Sequence, residues 1–515
     1  MADPALTSRR RLALNAVTNG LAFIAQLTVA FFLAPVLLHQ LGRERYGAWS
    51  FVESFLAYFT LFDLGIGATL VRYVSKCQTE GNQDQLSRIV NASLFLFALA
   101  GLLTILLGFG IFYVILNLST KVPQALHGEV QGMAAISICC LALTLPLSIF
   151  PAMLDGLGRY SVKSLVRTLF LLARVAGVLV VLWTGKGLVA LAAVFALSTL
   201  AEHGVMLVLV QRQLPNLRPA PWRADRATLR LIRGYSVDSF LAMLAGRINF
   251  KTDAIVIGLC GQLGLIPFFD MPSRIVEYAK NLIRSATTTL TPAFSALEVK
   301  KDLTAIRQLF ITGCRYTLYL SLPIQTALLL FGGSFLQLWL KDAAFRVQGE
   351  PVLWILGGTL CVSMVQSVAA RVLYGMGRIR MFSRLMLLEA GLNLVTSLIL
   401  IGPCGIAGVA LGTAIPDVAI CIFVTLGVCK MLDIDDRTFF REALLKPLLI
   451  TVVVTPAWLR LAQFLPPNTW LGFMELIAAG VALFGVLVLL LERGQIWASH
   501  LLKRVRSSIV AAKHT

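Results

Sequence analysis

Apolar residues run in long blocks through almost the whole chain, and polar residues gather in short breaks between the blocks. A helix needs about 20 mostly apolar residues to cross a bilayer. By that measure the pattern predicts about fourteen spans. They cover 13–38, 46–71, 89–117, 130–154, 165–184, 187–211, 235–259, 265–292, 310–338, 351–374, 381–402, 405–429, 445–464 and 470–491. One longer polar link lies at 212–234, and a basic tail at 493–515. The expected fold is an all-α polytopic membrane protein.

The breaks also carry an orientation. With the amino terminus placed inside, the inner breaks hold Arg9, Arg10, Arg11, Arg72, Lys76, Arg159, Lys163, Lys300, Lys301, Arg371, Arg378 and many more. The outer breaks hold Arg43, Arg45, Lys121, Lys186, Lys341 and Arg346. A bias of about five to one is a strong positive-inside signal. It predicts an even number of spans with both termini in the cytoplasm; the expected location is the cell (inner) membrane. Ser8-Arg9-Arg10-Arg11 faintly resembles a twin-arginine signal, but the long apolar stretch after it has no small-residue cleavage site, so a retained first span is expected.

Composition agrees. Of 515 residues, 57% are hydrophobic and 14% charged, against about 25% charged in soluble domains. This sets aside a soluble enzyme, a disordered regulator and a secreted disulfide scaffold. Lys and Arg number 45 and Asp and Glu 26, a net charge of +19. Topology accounts for most of that excess, so no nucleic-acid partner is expected. The 9 Cys lie mostly inside apolar runs and form no zinc-type pairs with His. No phosphate-binding P-loop, His-Glu-x-x-His or Gly-x-Ser-x-Gly occurs. The expectation is a non-enzyme without cofactor or metal. The tail from His500 to Arg506 reads either as an interfacial helix on anionic membrane lipid or as a solvated tail.

The chain repeats itself. Gly42 after one apolar span answers to Gly261, Asp155-Gly156-Leu157-Gly158-Arg159 to Tyr374-Gly375-Met376-Gly377-Arg378, and Gly187 to Gly405, at separations of 219, 219 and 218 residues. Six spans fit in that interval, and an even number returns the chain to its starting side. The halves are then parallel copies about an axis along the membrane normal. The predicted organisation is an N-lobe of six helices over 1–211, a cytoplasmic linker over 212–234 and a C-lobe of six helices over 235–429. An extra C-terminal helix pair follows over 430–492, then the basic tail over 493–515.

Some span residues are charged. Spans seven to nine contain Arg247, Lys251, Asp253, Asp270, Arg274, Glu277, Lys280, Arg284 and Arg315. Facing lipid, these would together cost on the order of 20–30 kcal/mol, more than typical folding stability. They must face one another or a wet cavity. Asp270, Arg274, Glu277, Asn281 and Arg284 fall on one helical stripe, and Arg247 and Lys251 are one turn apart. Cavity lining and internal pairing, with Arg274–Glu277 and Asp253 against Lys251 or Arg247 as candidates, both fit. Asp417 follows Pro416 in mid-span, and Asp63 and Glu389 are similar buried acids suited to ion coupling or charge pairing. Span two is rich in aromatics, among them Tyr46, Trp49 and Phe51, which suit sugar stacking and ordinary packing alike.

Leu41-Gly-Arg-Glu-Arg-Tyr-Gly-Ala-Trp-Ser, with Leu61-Phe-Asp-Leu-Gly-Ile-Gly-Ala-Thr-Leu-Val-Arg-Tyr-Val, resembles the amino-terminal signature of polysaccharide biosynthesis (Wzx-like) flippases. These belong to the multidrug/oligosaccharidyl-lipid/polysaccharide (MOP) exporter superfamily. Asp253-Ala-Ile-Val-Ile-Gly and Pro292-Ala-Phe-Ser are similar to the same family's second repeat. The resemblance implies flipping of a polyprenyl-pyrophosphate-linked oligosaccharide from the inner to the outer leaflet by alternating access. Its product would serve O-antigen, capsule or exopolysaccharide assembly. It implies head-group contacts from Arg247, Lys251, Arg274, Lys280 and Arg284, with Arg315 as a further candidate. Gly42, Tyr46, Gly47, Asp63, Gly65, Gly67 and Arg72 match the signature and imply packing roles. A coupling proton or sodium ion and a polysaccharide polymerase complex are the further partners implied. The extra helix pair resembles the fourteen-span lipid II flippases. A cation-coupled multidrug exporter and, more distantly, a membrane glycosyltransferase or polymerase are the competing readings.

Overall fold

The computed structural model describes residues 4–63, 65–118, 122–215, 217, 220–225, 228–229, 244, 247–248 and 251–512. Among them there is no strand. The linker 212–234, the first part of span seven and the last residues of the basic tail fall largely or partly outside the described residues. Among the described residues, ten helices are long and apolar enough to cross a membrane.

Two of these ten each contain a pair of the expected spans. Helix α1 (Pro4–Phe59) breaks at Gly42, where φ 76° and ψ 169° leave the helical region. Helix α15 (Ile379–Met431) breaks at Gly405, with φ 57° and ψ −138°. Positive φ is costly for a residue bearing a Cβ, so glycine marks both breaks. At Gly405 the chain folds back on itself. Thr396 Oγ1 donates to the Gly412 carbonyl at 2.8 Å and Ser397 Oγ to the Val409 carbonyl at 3.4 Å. A Cβ on Gly412 would collide with the Ser397 backbone.

The chain forms two compact units. The first comprises Met1–Asp270 with Ser383–Gly412. After α1 it contains α2 (Ile66–Glu80), α3 (Gln83–Leu118), α4 (His127–Leu147), α5 (Ile149–Gly156), α6 (Tyr160–Trp183) and α7 (Leu188–Gln213), then a helical stretch α8 over 251–260. One core of Leu70, Val74, Phe97, Ile149, Met153 and Met206, drawn from α2, α3, α5 and α7, is almost fully buried.

The second unit comprises Met271–Phe382 with Thr413–Thr515. Its helices are most of α9 (Ile266–Thr287), then α10 (Leu290–Val299), α11 (Leu303–Leu340), α12 (Ala344–Gln348), α13 (Glu350–Gly358) and α14 (Leu360–Gly375). The part of α15 from Thr413 onward, α16 (Asp436–Phe439), α17 (Leu445–Phe464) and α18 (Trp470–Ala512) complete it. Helix α9 is the expected eighth span. It carries five charged residues, and its Ile266, Phe268, Met271 and Ile283 are buried. Between α16 and α17, Phe440–Leu444 form a π turn. In that register the donor due to the Glu442 carbonyl would be residue 447, a proline without an N–H. Arg315 Nε supplies it instead, at 2.8 Å.

One of the three repeated motifs, the one around Gly158 and Gly377, has matching geometry in both halves. Gly158 and Gly377 both adopt φ 70°. Around the first, Gly158 N–H donates to the Asp155 carbonyl and Arg159 N–H to the Leu154 carbonyl. Around the second, Gly377 N–H donates to the Tyr374 carbonyl and Arg378 N–H to the Leu373 carbonyl. These are two copies of one Schellman-type helix stop.

Candidate functional site

Four helical segments of the first unit surround a cleft of about 340 Å³. The second arm of α1 brings Trp49, Glu53 and Leu56. Helix α4 brings Ser137, Cys140, Leu141 and Thr144, and α7 brings Ala192, Phe195, Ala196 and Thr199. The last two sets follow i, i+3, i+4, i+7 spacing, one stripe of each helix. Arg247 and Lys251, one turn apart, close the wall. The cleft is thus lined by apolar and hydroxyl-bearing groups, with two cations against one carboxylate.

A supporting network stands behind α7. Arg174 donates to Ser198 Oγ at 3.2 Å and to Thr199 Oγ1 at 3.1 Å. It lies 3.6 Å from Glu202 and over the Phe195 ring at 5.4 Å. Phe195 meets Trp49 with ring centres 4.9 Å apart. Both aromatic walls are thereby held in place. The adjacency of Arg174 and Glu202 comes from the packing of α6 on α7, which spacing along one helix does not reveal.

The signature positions pack as well as line. Tyr46 is buried, and its Oη donates to Asp270 Oδ2 at 2.9 Å, with Ser50 Oγ on the same oxygen at 3.4 Å. A Cβ on Gly47 would run into the Leu263 carbonyl. Asp63 Oδ1 accepts the Gly67 N–H at 3.0 Å, securing the start of α2. Tyr58 and Thr252 share a hydrogen bond between their hydroxyls, next to the buried Asp253. Glu389 is buried on the near arm of α15, and it and Asp253 both make polar contacts.

The remaining site candidates lie in the second unit. Lys280 Nζ is 3.2 Å from Asp417 Oδ2, which also accepts from Ser363 Oγ at 2.7 Å. Cys421 Sγ lies 3.3 Å from the other oxygen. Arg284 meets Glu277 at 3.4 Å, two turns away on α9. Arg274 is half-buried on the same helix and has a partner of its own. Arg315 lies 3.6 Å from Glu492, which also accepts from Tyr319 Oη at 3.0 Å. Lys280, Arg284 and Arg315 are therefore ion-paired, while Arg247 and Lys251 face a cleft. Among the described residues no group of His, Cys, Asp or Glu is gathered as a metal centre.

Comparison with known proteins supplies a family. A family model described as lipid II flippase MurJ matches residues 50–480. The uncharacterized membrane protein EpsK of Bacillus subtilis (strain 168) is 22% identical over 489 residues, spanning 92% of this chain and 93% of its own length. The solved structure of the lipid II flippase MurJ in an inward closed conformation has a TM-score of 0.74 at 14% identity, over 94% of this chain and 100% of that one. A multidrug resistance MATE family transporter of the MOP superfamily, inward-facing, has a TM-score of 0.66 at 15% identity, over 79% of this chain and 94% of that one. At these identities the likenesses to solved structures concern the fold, and the fold they share is the one anticipated for a MOP exporter.

Proposed function

The chain belongs to the MurJ family, and from that premise we propose that it flips a polyprenyl-pyrophosphate-linked saccharide from the inner to the outer leaflet. The substrate we favour is an oligosaccharide destined for O-antigen, capsule or exopolysaccharide, carried by alternating access between two lobes. The observation that carries the reading is the cleft of the first unit. Arg247 and Lys251 supply positive charge for a pyrophosphate, and Trp49 and Phe195 supply flat apolar faces for sugar rings. Two cations against Glu53 favour an anionic substrate over the cationic compounds typical of a drug exporter. Lys280, Arg284 and Arg315 enter this reading as groups that change partners during transport, and Arg274 as a further head-group contact. Asp63, Asp253, Asp270, Glu277, Glu389 and Asp417 enter as the acids that hold those cations or take a coupling proton or sodium ion.

A second reading, lipid II itself as the substrate, is favoured by the family match. The two carriers share the polyprenyl pyrophosphate and differ in the sugar. Proteoliposomes containing the purified chain, loaded in parallel with a fluorescent polyprenyl-pyrophosphate oligosaccharide and with lipid II, test both. Transport of the first supports the primary reading. Transport of lipid II alone selects the second, and transport of neither overturns the flippase assignment.

A further inference from the structure

Two buried polar atoms of the second unit, Arg371 Nε and Thr291 Oγ1, have no hydrogen-bond partner among the described residues. They belong to neighbouring helices, α14 and α10. The register between α14 and the segment that runs from the end of α9 into α10 is fixed at two places. The Thr287 and Ser367 hydroxyls are 3.5 Å apart, and Ser295 Oγ donates to the Gly375 carbonyl at 3.3 Å. Both pairs are separated by 80 residues. Leu290 and Val368 lie against Gly313 between them. The two segments therefore run side by side in the same direction, and Thr291 is level with Arg371.

Other groups add to the site. The Arg371 guanidinium lies over the Tyr374 ring at 5.7 Å. Arg284, one turn before Thr288 and 3.4 Å from Glu277, is within electrostatic reach of Arg371. A buried donor without an acceptor costs about 1–3 kcal/mol, and an oxyanion seated against it removes that cost. A phosphate suits the place, since guanidinium pairs with phosphate oxygens in a planar fork and a threonine hydroxyl donates to a third. Helix α14 ends at Gly375, before Arg378, an end that the distribution of basic residues assigns to the cytoplasmic side.

We propose that Arg371, Thr291 and Arg284 form a phosphate seat in the second unit that receives the pyrophosphate end of the lipid carrier on the cytoplasmic side. The seat is additional to the cleft at Arg247 and Lys251, and its assignment to a carrier lipid rests on the flippase reading above. Arg371 is the central group, because its Nε has no other acceptor among the described residues. Thr291 orients the phosphate, and Arg284 shares its charge between Glu277 and the incoming anion.

The test uses the full chain in neutral-lipid nanodiscs and three probes: inorganic pyrophosphate, undecaprenyl pyrophosphate and phosphatidylglycerol. R371Q is expected to weaken binding of both pyrophosphates about tenfold or more, R371K to recover part of the loss, and T291V to weaken it a few-fold. Unchanged thermal unfolding of T291V keeps the test valid where R371Q is poorly folded. Wild-type binding of both pyrophosphates by folded T291V and R371Q overturns the seat. Equal dependence of phosphatidylglycerol binding on Arg371 also overturns it, because the site then holds bulk lipid. If pyrophosphate binding depends on Arg371 while proteoliposomes move no polyprenyl lipid, the phosphate site stands and the flippase reading falls.

Discussion

Tyr46 Oη and Asp270 Oδ2 are 2.9 Å apart although 224 positions separate them in the chain. The bond ties the start of the second arm of α1 to α9, and the tyrosine is 2% exposed. A hydrogen bond to a carboxylate contributes about 1.5–3 kcal/mol. Y46F should therefore lower the thermal unfolding midpoint of the detergent-solubilised protein. D270N added to Y46F should cost much less than D270N added to wild type. Strict additivity of the two changes would show that the bond contributes nothing.

Charge reversal in the cleft addresses transport. R247E and K251E should each reduce flipping at least tenfold, on the scale of one lost charge-assisted contact of about 1.5–3 kcal/mol. Membrane insertion and the unfolding midpoint should change little, because the cleft is open to solvent-sized groups. Initial rates in proteoliposomes give the answer, and a wild-type rate in both variants would remove the cleft from the pathway.

Lys280 and Asp417 make a different kind of prediction. Both side chains are largely buried, and they lie 3.2 Å apart. Deleting one partner strands the other, at a cost of about 3–5 kcal/mol. D417N and K280M alone should each be strongly destabilising. The K280M/D417L double variant should recover most of the loss, as an apolar pair of similar volume does elsewhere. Transport by that stable double variant then reports whether the pair has a role beyond packing.

Gly158 and Gly377 share φ 70° and one pattern of carbonyl acceptors. Alanine at either site must adopt a left-handed conformation, at about 1–2 kcal/mol. G158A and G377A should lower stability by similar amounts. A large inequality in their unfolding midpoints would mean that the two helix stops differ in their surroundings despite equal geometry.

Much of this architecture was legible in the chain. Apolar block length located the spans, because a bilayer sets a minimum helix length whatever the tertiary contacts. The glycines at 158 and 377 betrayed the repeat, because a left-handed helix stop restricts residue choice. Pairing was less legible. Glu277 pairs with Arg284 rather than with Arg274, the nearer candidate. Spacing selects a helix face, but side-chain length and the neighbouring helix decide which of two bases it meets. Arg371 read as one more inner-loop cation, whereas it lies on α14 with its Nε buried. Thr291 carried no signal at all, since a single hydroxyl in an apolar run is ordinary. The cleft of the first unit was half visible, in Trp49, Arg247 and Lys251. Its α4 and α7 walls mix apolar residues with hydroxyls and Phe195, and only their packing brings them opposite the cations.

The fold-back at Gly405 bears on how the chain reaches its membrane. The reversal is made by Gly402, Pro403, Cys404 and Gly405, with no charged residue among them. Neither arm presents a hydrophilic tether that must be dragged across, so both can partition from the translocon as one hairpin. No Lys or Arg lies between Arg384 and Lys430. Trypsin should release this hairpin whole, a single fragment whose protection during synthesis would time its arrival in the lipid.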